Sequence, residues 1–245
     1  MKKVILGMSG GVDSSAAAII LKEQGYEVIG VTLKMLDSFD DTDAIKVCEV
    51  LNIKHKTINI VNEFKKEVID EFINNYKKGY TPNPCVICNK EIKLKYLYNE
   101  MLNENADFIA TGHYAKNIDG SIYLSKDLNK DQTYFLSKVD KKILERLLLP
   151  LDGLCKDEVR EIASKYNLLN ANKKEPIIKV VAPISEAQLI ESAMLCLFNH
   201  ETLIATKSYR VCKAAKDFYI INNVYYCYRV LRKGSAMTYK SLVAI

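Results

Sequence analysis

A glycine- and serine-rich stretch near the amino terminus has the residue types that bind a phosphate group. It reads Gly7-Met8-Ser9-Gly10-Gly11-Val12-Asp13-Ser14-Ser15. The adjacent glycines leave the main chain open to an oxygen anion, the serines offer hydroxyl donors, and Asp13 can cap a helix or hold Mg²⁺. The stretch has neither the Gly-Lys-Ser/Thr ending of a Walker A loop nor the G-x-G-x-x-G spacing of a dinucleotide fold. It predicts a phosphate-binding loop of another type, richer in glycine and hydroxyls than a helix cap requires.

A second stretch carries two cysteines between prolines and lysines. It reads Thr81-Pro82-Asn83-Pro84-Cys85-Val86-Ile87-Cys88-Asn89-Lys90-Glu91-Ile92-Lys93. The prolines stiffen a predicted loop, and we place Cys88 just before a helix start. There the helix dipole, Lys90 and Lys93 would lower the thiol pKa below the ~8.5 of a free cysteine. This pattern is typical of a nucleophile or sulfur carrier.

A structural zinc half-site and a loop with buried thiols are the alternatives for the cysteine stretch. Zinc would require a second ligand pair, and the sequence contains no second C-x-x-C and no H-x-x-H. Three further cysteines, Cys196, Cys212 and Cys227, have surroundings typical of core residues. The cysteine stretch therefore favours thiol chemistry.

Alternating strand and helix patterns predict the elements that position these two stretches. The predicted strands are Val4–Leu6, Tyr26–Thr32, Lys56–Ile60 and Asp107–Thr111. The predicted helices are Ala16–Lys22, Asp43–Leu51, Glu63–Lys78, Asn89–Asn103 and Asp157–Tyr166, with a loop at Gly79–Cys88. This order predicts an α/β fold: a parallel twisted sheet with helices on both faces.

In such a sheet, ligands bind beyond the carboxyl ends of the strands. The glycine-rich loop, Lys34–Asp37 and Gly112-His113-Tyr114 should therefore meet at one sheet edge. Farther along the chain, Ile118–Ser121 predicts a hairpin turn. Glu186–Phe198 predicts a helix, and β-rich pieces lie between Ser208 and Leu231.

Bulk properties indicate an ordinary globular chain. It has 245 residues, of which 49% are hydrophobic and 27% charged. The absence of a long apolar run and of a signal-peptide pattern predicts no membrane partner and a cytoplasmic location. Seven cysteines argue against a disulfide framework. The formal net charge of +5 is compatible with a nucleic-acid partner.

The glycine-rich loop resembles the Ser-Gly-Gly-x-Asp-Ser loop of the ATP pyrophosphatases, or PP-loop family, which split ATP between its α and β phosphates. Five stretches in order resemble the bacterial tRNA-specific 2-thiouridylases within that family. They are Gly7–Ser15, Thr81–Lys93, Ala110–Ala115, Lys130–Leu136 and Leu149–Leu151. The resemblance covers residues 1–175, which we predict to be a PP-loop catalytic domain, and leaves 176–245 as a divergent segment, partly β.

The resemblance implies a function and a set of site residues. It implies ATP-dependent thiolation of the wobble uridine of tRNA through an adenylated uridine and a cysteine persulfide, with Mg²⁺ and a sulfur-donor protein. It makes Cys88 the nucleophilic cysteine. We add Cys85 to the predicted catalytic residues because it is three residues from Cys88, and Asp13 because it lies in the phosphate-binding turn. ATP binding is assigned to Gly7, Met8, Ser9, Gly10, Gly11, Val12, Asp13, Ser14, Leu33 and Gly112, with Asp13 as the Mg²⁺ ligand. Contacts with tRNA are assigned to Asn83, Pro84, His113, Lys130, Asp131 and Gln132.

The sequence departs from the family pattern in three places. Many members have Asp, a proposed general base, where this chain has Cys85. The family's second reactive cysteine follows a Lys-Lys pair, whereas here Lys173-Lys174 is followed by Glu175–Lys179 without cysteine. The chain is also shorter than a typical member, so the family's central and C-terminal β-barrel domains are not both expected. A divergent short domain and a disrupted reading frame both explain residues 176–245.

Three accounts of the missing second thiol stay open. Cys85 and Cys88 could act as a pair, or they could hold an iron–sulfur cluster with a third cysteine, or full turnover could be lost. The competing functions are another PP-loop adenylating sulfurtransferase and a catalytically incomplete paralogue that binds ATP or tRNA.

Overall fold

The computed structural model describes residues 1–78, 83–166 and 168, together with the backbone of four strands beyond residue 176. Several predictions concern residues outside this part of the chain. They are Thr81 and Pro82, the Lys173-Lys174 pair, the helix at 186–198 and the side chains of Cys196, Cys212 and Cys227. Among the described helices, none combines the length and apolar composition that crossing a membrane requires.

The described elements alternate as the sequence predicts. The strands are β1 Lys3–Gly7, β2 Glu27–Lys34, β3 Lys54–Asn59, β4 Phe108–Ala110, β5 Lys116–Ile118, β6 Ser121–Tyr123, β7 Leu147–Leu148, β8 Ile177–Val181, β9 Thr202–Thr206, β10 Asp217–Ile221 and β11 Val224–Tyr228. The helices are α1 Val12–Glu23, α2 Thr42–Val50, α3 Val61–Phe64, α4 Glu71–Lys77, α5 Pro84–Ile87, α6 Leu94–Asn103, α7 Lys141–Leu144 and α8 Lys156–Lys165. π-Helical turns at Lys65–Asp70 and Cys88–Lys93 join α3 to α4 and α5 to α6, and Thr133–Leu136 is a 3₁₀ turn.

Five strands form one sheet in the order β3-β2-β1-β4-β7, and every neighbouring pair is parallel. The central strand β1 pairs on both sides, with Ile5 opposite Ile29 and Ile109. Central parallel strands are covered on both faces, so β1 and β2 consist of nearly continuous apolar residues. The predicted α/β class with a parallel sheet is confirmed.

Helices cover both faces of this sheet, as predicted. Side chains alternate along a strand, and Val4 and Leu6 of β1 pack in one cluster with α1, α2 and α8. On the other face α6 contacts β1 and β4, and a Cβ added at Gly7 would lie 3.1 Å from Leu97 Cδ1. Full burial of a side chain such as Ile5 or Leu6 contributes about 1.5–3 kcal/mol, so β1 is strongly anchored.

The prediction of a loop up to Cys88 is wrong, because helix begins at Pro84. Asn83 Oδ1 accepts the main-chain N–H of Cys85 at 3.0 Å, which is the hydrogen bond of a helix N-cap. Pro84 then occupies the first helical position, where its missing N–H costs nothing. The Asn-Pro pair is therefore a helix start signal, and Cys88 lies a full turn inside the helical run instead of before it.

Contacts between Cα atoms divide the chain into two compact units. One consists of residues 1–67 and 86–173 and contains the five-stranded sheet; the other consists of residues 68–85 and 174–245. In the second unit β8 pairs with β9 in parallel, and β10 pairs with β11 antiparallel within the predicted β-rich region. The proposed domain boundary at residue 175 stays a prediction. The predicted hairpin at Ile118–Ser121 is present as β5–β6.

Candidate nucleotide-binding site

The glycine-rich loop connects β1 to an uncapped helix start. Gly11 is the residue before α1, and it offers no side chain to cap the first turn. Gly10 has φ +75°, and a Cβ there would lie 2.6 Å from the Ala44 nitrogen, so no other residue fits without strain. The first main-chain N–H groups of α1 and the positive end of its dipole are therefore directed at the loop, where an anion is favoured.

The serine hydroxyls hold the loop in shape. Ser9 Oγ and Ser14 Oγ lie 3.1 Å apart, and the Gly11 N–H donates to Ser9 Oγ at 3.3 Å. Ser14 Oγ and Ser15 Oγ donate to the Gly11 carbonyl at 3.1 and 2.8 Å. This network organises the loop before any ligand arrives, which lowers the cost of binding.

The loop after β4 lies directly against the start of α1. A Cβ added at Gly112 would lie 2.9 Å from the Asp13 carbonyl carbon and 3.0 Å from the Ser14 nitrogen. Only glycine permits this approach without displacement of main-chain atoms. The predicted meeting of the loops after the first and fourth strands is thus confirmed.

The end of β2 completes this edge of the sheet. β1 ends opposite Val31, so β2 continues beyond it through Leu33 to Lys34, paired on one side with β3. Leu33 is buried, and the adjacent Thr32 Oγ1 donates to the Met8 carbonyl at 2.7 Å. Thr32 therefore fixes the first residue of the loop to β2, a role that the sequence analysis missed.

His55 supports Thr32 from β3. Its Nε2 lies 2.8 Å from Thr32 Oγ1. Since that hydroxyl gives its single proton to Met8, Nε2 must act as the donor, which places the proton of the neutral ring on Nε2. Burial lowers the pKa of His55, partly offset by Asp41, so the ring stays neutral at pH 7.

Asp13 is engaged by two groups that the sequence analysis did not assign to the site. Lys156 Nζ, from the first residue of α8, lies 2.8 and 2.9 Å from the two carboxylate oxygens. The Tyr114 hydroxyl donates to Oδ1 at 2.7 Å. These partners are 143 and 101 residues from Asp13 in sequence, so no local pattern reveals them. Asp13, Tyr114 and Lys156 are called the Asp13 cluster below.

The donor set fits a polyphosphate better than it fits an isolated metal ion. The uncapped α1 terminus offers main-chain donors and Lys156 adds a cation, whereas the loop itself supplies one carboxylate, Asp13. Mg²⁺ in phosphate sites takes one or two carboxylates and completes its shell with phosphate oxygens and water. Asp13 could hold Mg²⁺ only after yielding part of its contact with Lys156. Its role as metal ligand stays a prediction.

The residues predicted to contact tRNA have mixed environments. His113 is buried, with Nδ1 2.8 Å from Thr111 Oγ1. Asp131 accepts the N–H and hydroxyl of Thr133, and Gln132 Oε1 accepts the Tyr114 N–H at 3.0 Å. Asp131 and Gln132 thus stabilise their own loop and Tyr114.

The other three residues predicted to contact tRNA are Lys130, which is half-buried, and Asn83 and Pro84 at the start of α5. For all of them tRNA contact stays a prediction.

The expectation of an activated thiol at Cys88 is wrong for this conformation. The side chain is 1% exposed, and burial raises its pKa, although Lys93 opposes the shift through its charge and a main-chain hydrogen bond. Burial outweighs the lysine because a thiolate loses its hydration inside the helix packing. Cys85 is half-buried. Whether either cysteine is catalytic stays a prediction.

No group of three or more His, Cys, Asp or Glu side chains among the described residues could hold a metal ion. An iron–sulfur cluster at Cys85 and Cys88 would require Cys196, Cys212 or Cys227, whose side chains lie outside the described residues. The cluster therefore stays a prediction.

A parallel sheet, a glycine-rich loop after its central strand and a glycine from the neighbouring loop define an α/β protein whose loop geometry favours an anion. Residues 2–177 match the family described as the tRNA methyl transferase HUP domain. The chain belongs to this family.

Curated relatives agree with this placement. The chain is 44% identical over 189 residues to a tRNA-specific 2-thiouridylase of Protochlamydia amoebophila, covering 71% of this chain and 50% of the relative. It is 47% identical over 187 residues to one of Karelsulcia muelleri, covering 71% and 49%. A structure of a predicted tRNA methyltransferase subunit from Methanocaldococcus jannaschii has a TM-score of 0.47 at 22% identity, covering 67% of this chain and 76% of that one. The chain thus spans about half the length of the curated relatives it matches.

Proposed function

We propose that this chain catalyses ATP-dependent sulfur transfer to the wobble uridine of tRNA, giving 2-thiouridine. The observation that carries the proposal is the uncapped start of α1 behind Gly10 and Gly11, because it supplies main-chain donors for a nucleotide phosphate. The matched family and the names of the relatives support tRNA as the acceptor.

The first step is adenylation of the uridine. The base leaves its stack so that its C2 oxygen can attack the α-phosphorus of ATP. The new O–P bond forms as the bond to the β-phosphate breaks, the N3 proton is lost, and pyrophosphate departs. Main-chain donors of residues 9–14 stabilise the charge that develops on the phosphates. Bound Mg²⁺, with Asp13 as its protein ligand, would neutralise part of that charge.

The second step is sulfur transfer from a persulfide on Cys88, loaded by a sulfur-donor protein. The terminal sulfur attacks C2, forming a C–S bond, and AMP leaves with the former C2 oxygen. A second thiol then attacks Cys88 Sγ and breaks the S–S bond, so that the thiocarbonyl is released and a protein disulfide forms. An external thiol must reduce this disulfide. Cys85, three residues away in sequence, is the proposed partner.

The burial of Cys88 sets a condition on this scheme. A side chain that is 1% exposed cannot receive sulfur from a partner protein, so the helical run from Pro84 must open locally during the cycle. The proposed point of opening is the π-helical turn that begins at Cys88, since such turns are less regular than α-helix and are frequent at functional sites.

A second candidate function is favoured by the burial of Cys88. With Cys88 buried and no cysteine at 175–179, the chain would bind ATP and tRNA and release pyrophosphate without transferring sulfur. Another PP-loop sulfurtransferase with a different acceptor is the third reading, and it would release pyrophosphate without dependence on tRNA.

The test is an assay with unthiolated tRNA, ATP, Mg²⁺, a cysteine desulfurase with cysteine, and a thiol reductant. Nucleoside mass spectrometry should detect 2-thiouridine with wild-type protein and not with Cys88→Ser. Pyrophosphate release without 2-thiouridine would select the second candidate. The family description names methyl transfer, so a parallel assay with S-adenosylmethionine tests for that reaction. The proposal predicts that it gives no methylated nucleoside. A methylated product would overturn the proposal.

A further inference from the structure

The Asp13 cluster brings a lysine ammonium to the positive end of a helix. Asp13 is the second residue of α1, and Lys156 Nζ lies 2.8 Å from its Oδ1. The dipole of α1 disfavours a cation at this end, and the Asp13 carboxylate offsets both positive features. The Lys156 side chain is 13% exposed, and a placement this enclosed is uncommon for a lysine with a purely solvated role.

The position of Lys156 is fixed from several directions. It begins α8, whose preceding residue is held by a 2.6 Å hydrogen bond from the Cys155 N–H to Glu158 Oε2. The Lys156 N–H donates to Asp127 Oδ2 at 3.1 Å. Its ammonium also lies 5.9 Å from the centre of the Tyr114 ring. The main chain of Lys156 is therefore held in place independently of the ion pair with Asp13, and the Tyr114 ring adds a second contact to the ammonium.

We propose that Lys156 is a polyphosphate-binding residue that stabilises the leaving pyrophosphate; this inference rests on the proposed function. Asp13 holds the ammonium at the α1 terminus while no nucleotide is bound. When ATP binds, Lys156 exchanges a carboxylate oxygen for oxygens of the β and γ phosphates. Cleavage between the α and β phosphates places new charge on the pyrophosphate, where a fixed cation lowers the barrier. The exchange also releases Asp13 oxygens for Mg²⁺.

The alternative is a purely structural role, in which the ion pair only joins α8 to α1, elements that pack together. The two roles differ in their ligand dependence. A residue that contacts the β and γ phosphates affects ATP and pyrophosphate binding but not AMP binding. A residue that only maintains the loop affects all three ligands together.

The experiment measures the affinities for ATP, AMP and inorganic pyrophosphate, each with Mg²⁺, by isothermal titration calorimetry. Lys156→Met should weaken ATP and pyrophosphate binding by about 10- to 100-fold, the loss expected for hydrogen bonds from a charged donor, and leave AMP affinity unchanged. Lys156→Arg should retain most of the affinity. Lys126→Met is the matched control, because Lys126 pairs with Glu158 of the same helix but is about half exposed; it should bind all three ligands as wild type does.

Two results would overturn the inference while leaving the proposed function intact: unchanged ATP affinity in Lys156→Met, or equal losses for ATP and AMP. Wild-type protein that binds no ATP would instead overturn the proposed function and the inference with it. If Lys156→Met does not fold, the pair Asp13→Asn and Asp13→Asn/Lys156→Met replaces it, since neither leaves an unpaired carboxylate. The double variant should then show the further, ATP-selective loss.

Discussion

Asp13 is the residue on which the proposed phosphate chemistry at the loop most depends. Its carboxylate receives Lys156 Nζ at 2.8 and 2.9 Å and the Tyr114 hydroxyl at 2.7 Å. We expect Asp13→Asn to fold, because the amide keeps the shape of the side chain. It should lower tRNA-dependent pyrophosphate release by about 100-fold or more, as loss of a charge-stabilising group does.

The control for this prediction is Asp157→Asn, which removes an exposed carboxylate next to Lys156. Circular dichroism would establish that both variants fold. Wild-type rates in folded Asp13→Asn would show that the carboxylate neither organises the loop nor serves Mg²⁺.

Cys88 gives a prediction of low reactivity in the free protein. Burial raises its pKa, so the thiolate fraction near pH 7.5 is small, and packing also blocks reagent access. Iodoacetamide should modify the half-buried Cys85 faster than Cys88, with each site followed by peptide mass spectrometry. The Cys88 rate should still be rising at pH 9, because a raised pKa delays formation of the thiolate.

Cys48 is the internal reference, since burial raises its pKa to about 12. If Cys88 reacts faster than Cys85 at neutral pH, the buried conformation does not represent the protein in solution. Addition of ATP and tRNA should accelerate alkylation of Cys88 if local opening accompanies the cycle.

At the scale of single residues, the sequence predicts some features of the candidate site and misses others. The meeting of the glycine-rich loop with Gly112 could be predicted because the strand order places both at the carboxyl edge of a parallel sheet. The environment of Cys88 could not, because it depends on a helix that starts at Pro84 and on packing around it. Lys156 was missed because its partner Asp13 lies 143 residues away.

Among the elements, the contact between the β4 loop and α1 leads to a test at Gly112. A Cβ there would lie 2.9 Å from a main-chain carbon of Asp13, so α1 or the loop must shift. Gly112→Ala should lower the free energy of unfolding by about 1–3 kcal/mol, the usual cost of overpacking. It should also reduce ATP affinity, because the shift displaces the N–H groups at the start of α1.

Gly153→Ala is the matched control for this change, since a Cβ at Gly153 meets nothing within 4 Å. Urea denaturation gives the stability difference, and calorimetry gives the affinity. A Gly112→Ala protein as stable and as tight-binding as the Gly153→Ala protein would contradict the described packing of the two loops.

The hydrogen bond from Thr32 on β2 to Met8 in the loop leads to a second test of stability and ATP binding. Thr32→Val keeps the shape but leaves the Met8 carbonyl and His55 Nε2 without the hydroxyl. We expect a loss of about 1–3 kcal/mol in urea denaturation, the cost of unpaired buried polar groups, together with weaker ATP binding. Thr57→Val, at an exposed hydroxyl that donates to Asp41, should cost much less. Equal losses of unfolding free energy in the two variants would contradict the proposed role of Thr32.

The elements themselves were predictable where their patterns are strong. Apolar runs in the first and second strands and the glycines between β1 and α1 determine the parallel sheet and the position of the glycine-rich loop at its edge. The start of α5 was missed because two prolines suggested a loop, although Asn83 and Pro84 form a cap and a first helical residue. The two-residue strand β7 is too short to leave a periodic pattern.

For the whole molecule, the central claim is that ATP is cleaved between its α and β phosphates in response to tRNA. The decisive measurement is the product analysis of ATP labelled at its α- or γ-phosphate and incubated with the protein, Mg²⁺, a cysteine desulfurase, cysteine and a thiol reductant, with and without unthiolated tRNA. The account predicts AMP and pyrophosphate in equal amounts, formed only with tRNA and strongly reduced in Asp13→Asn. Formation of ADP and phosphate, or no cleavage by folded wild-type protein with tRNA, would contradict it.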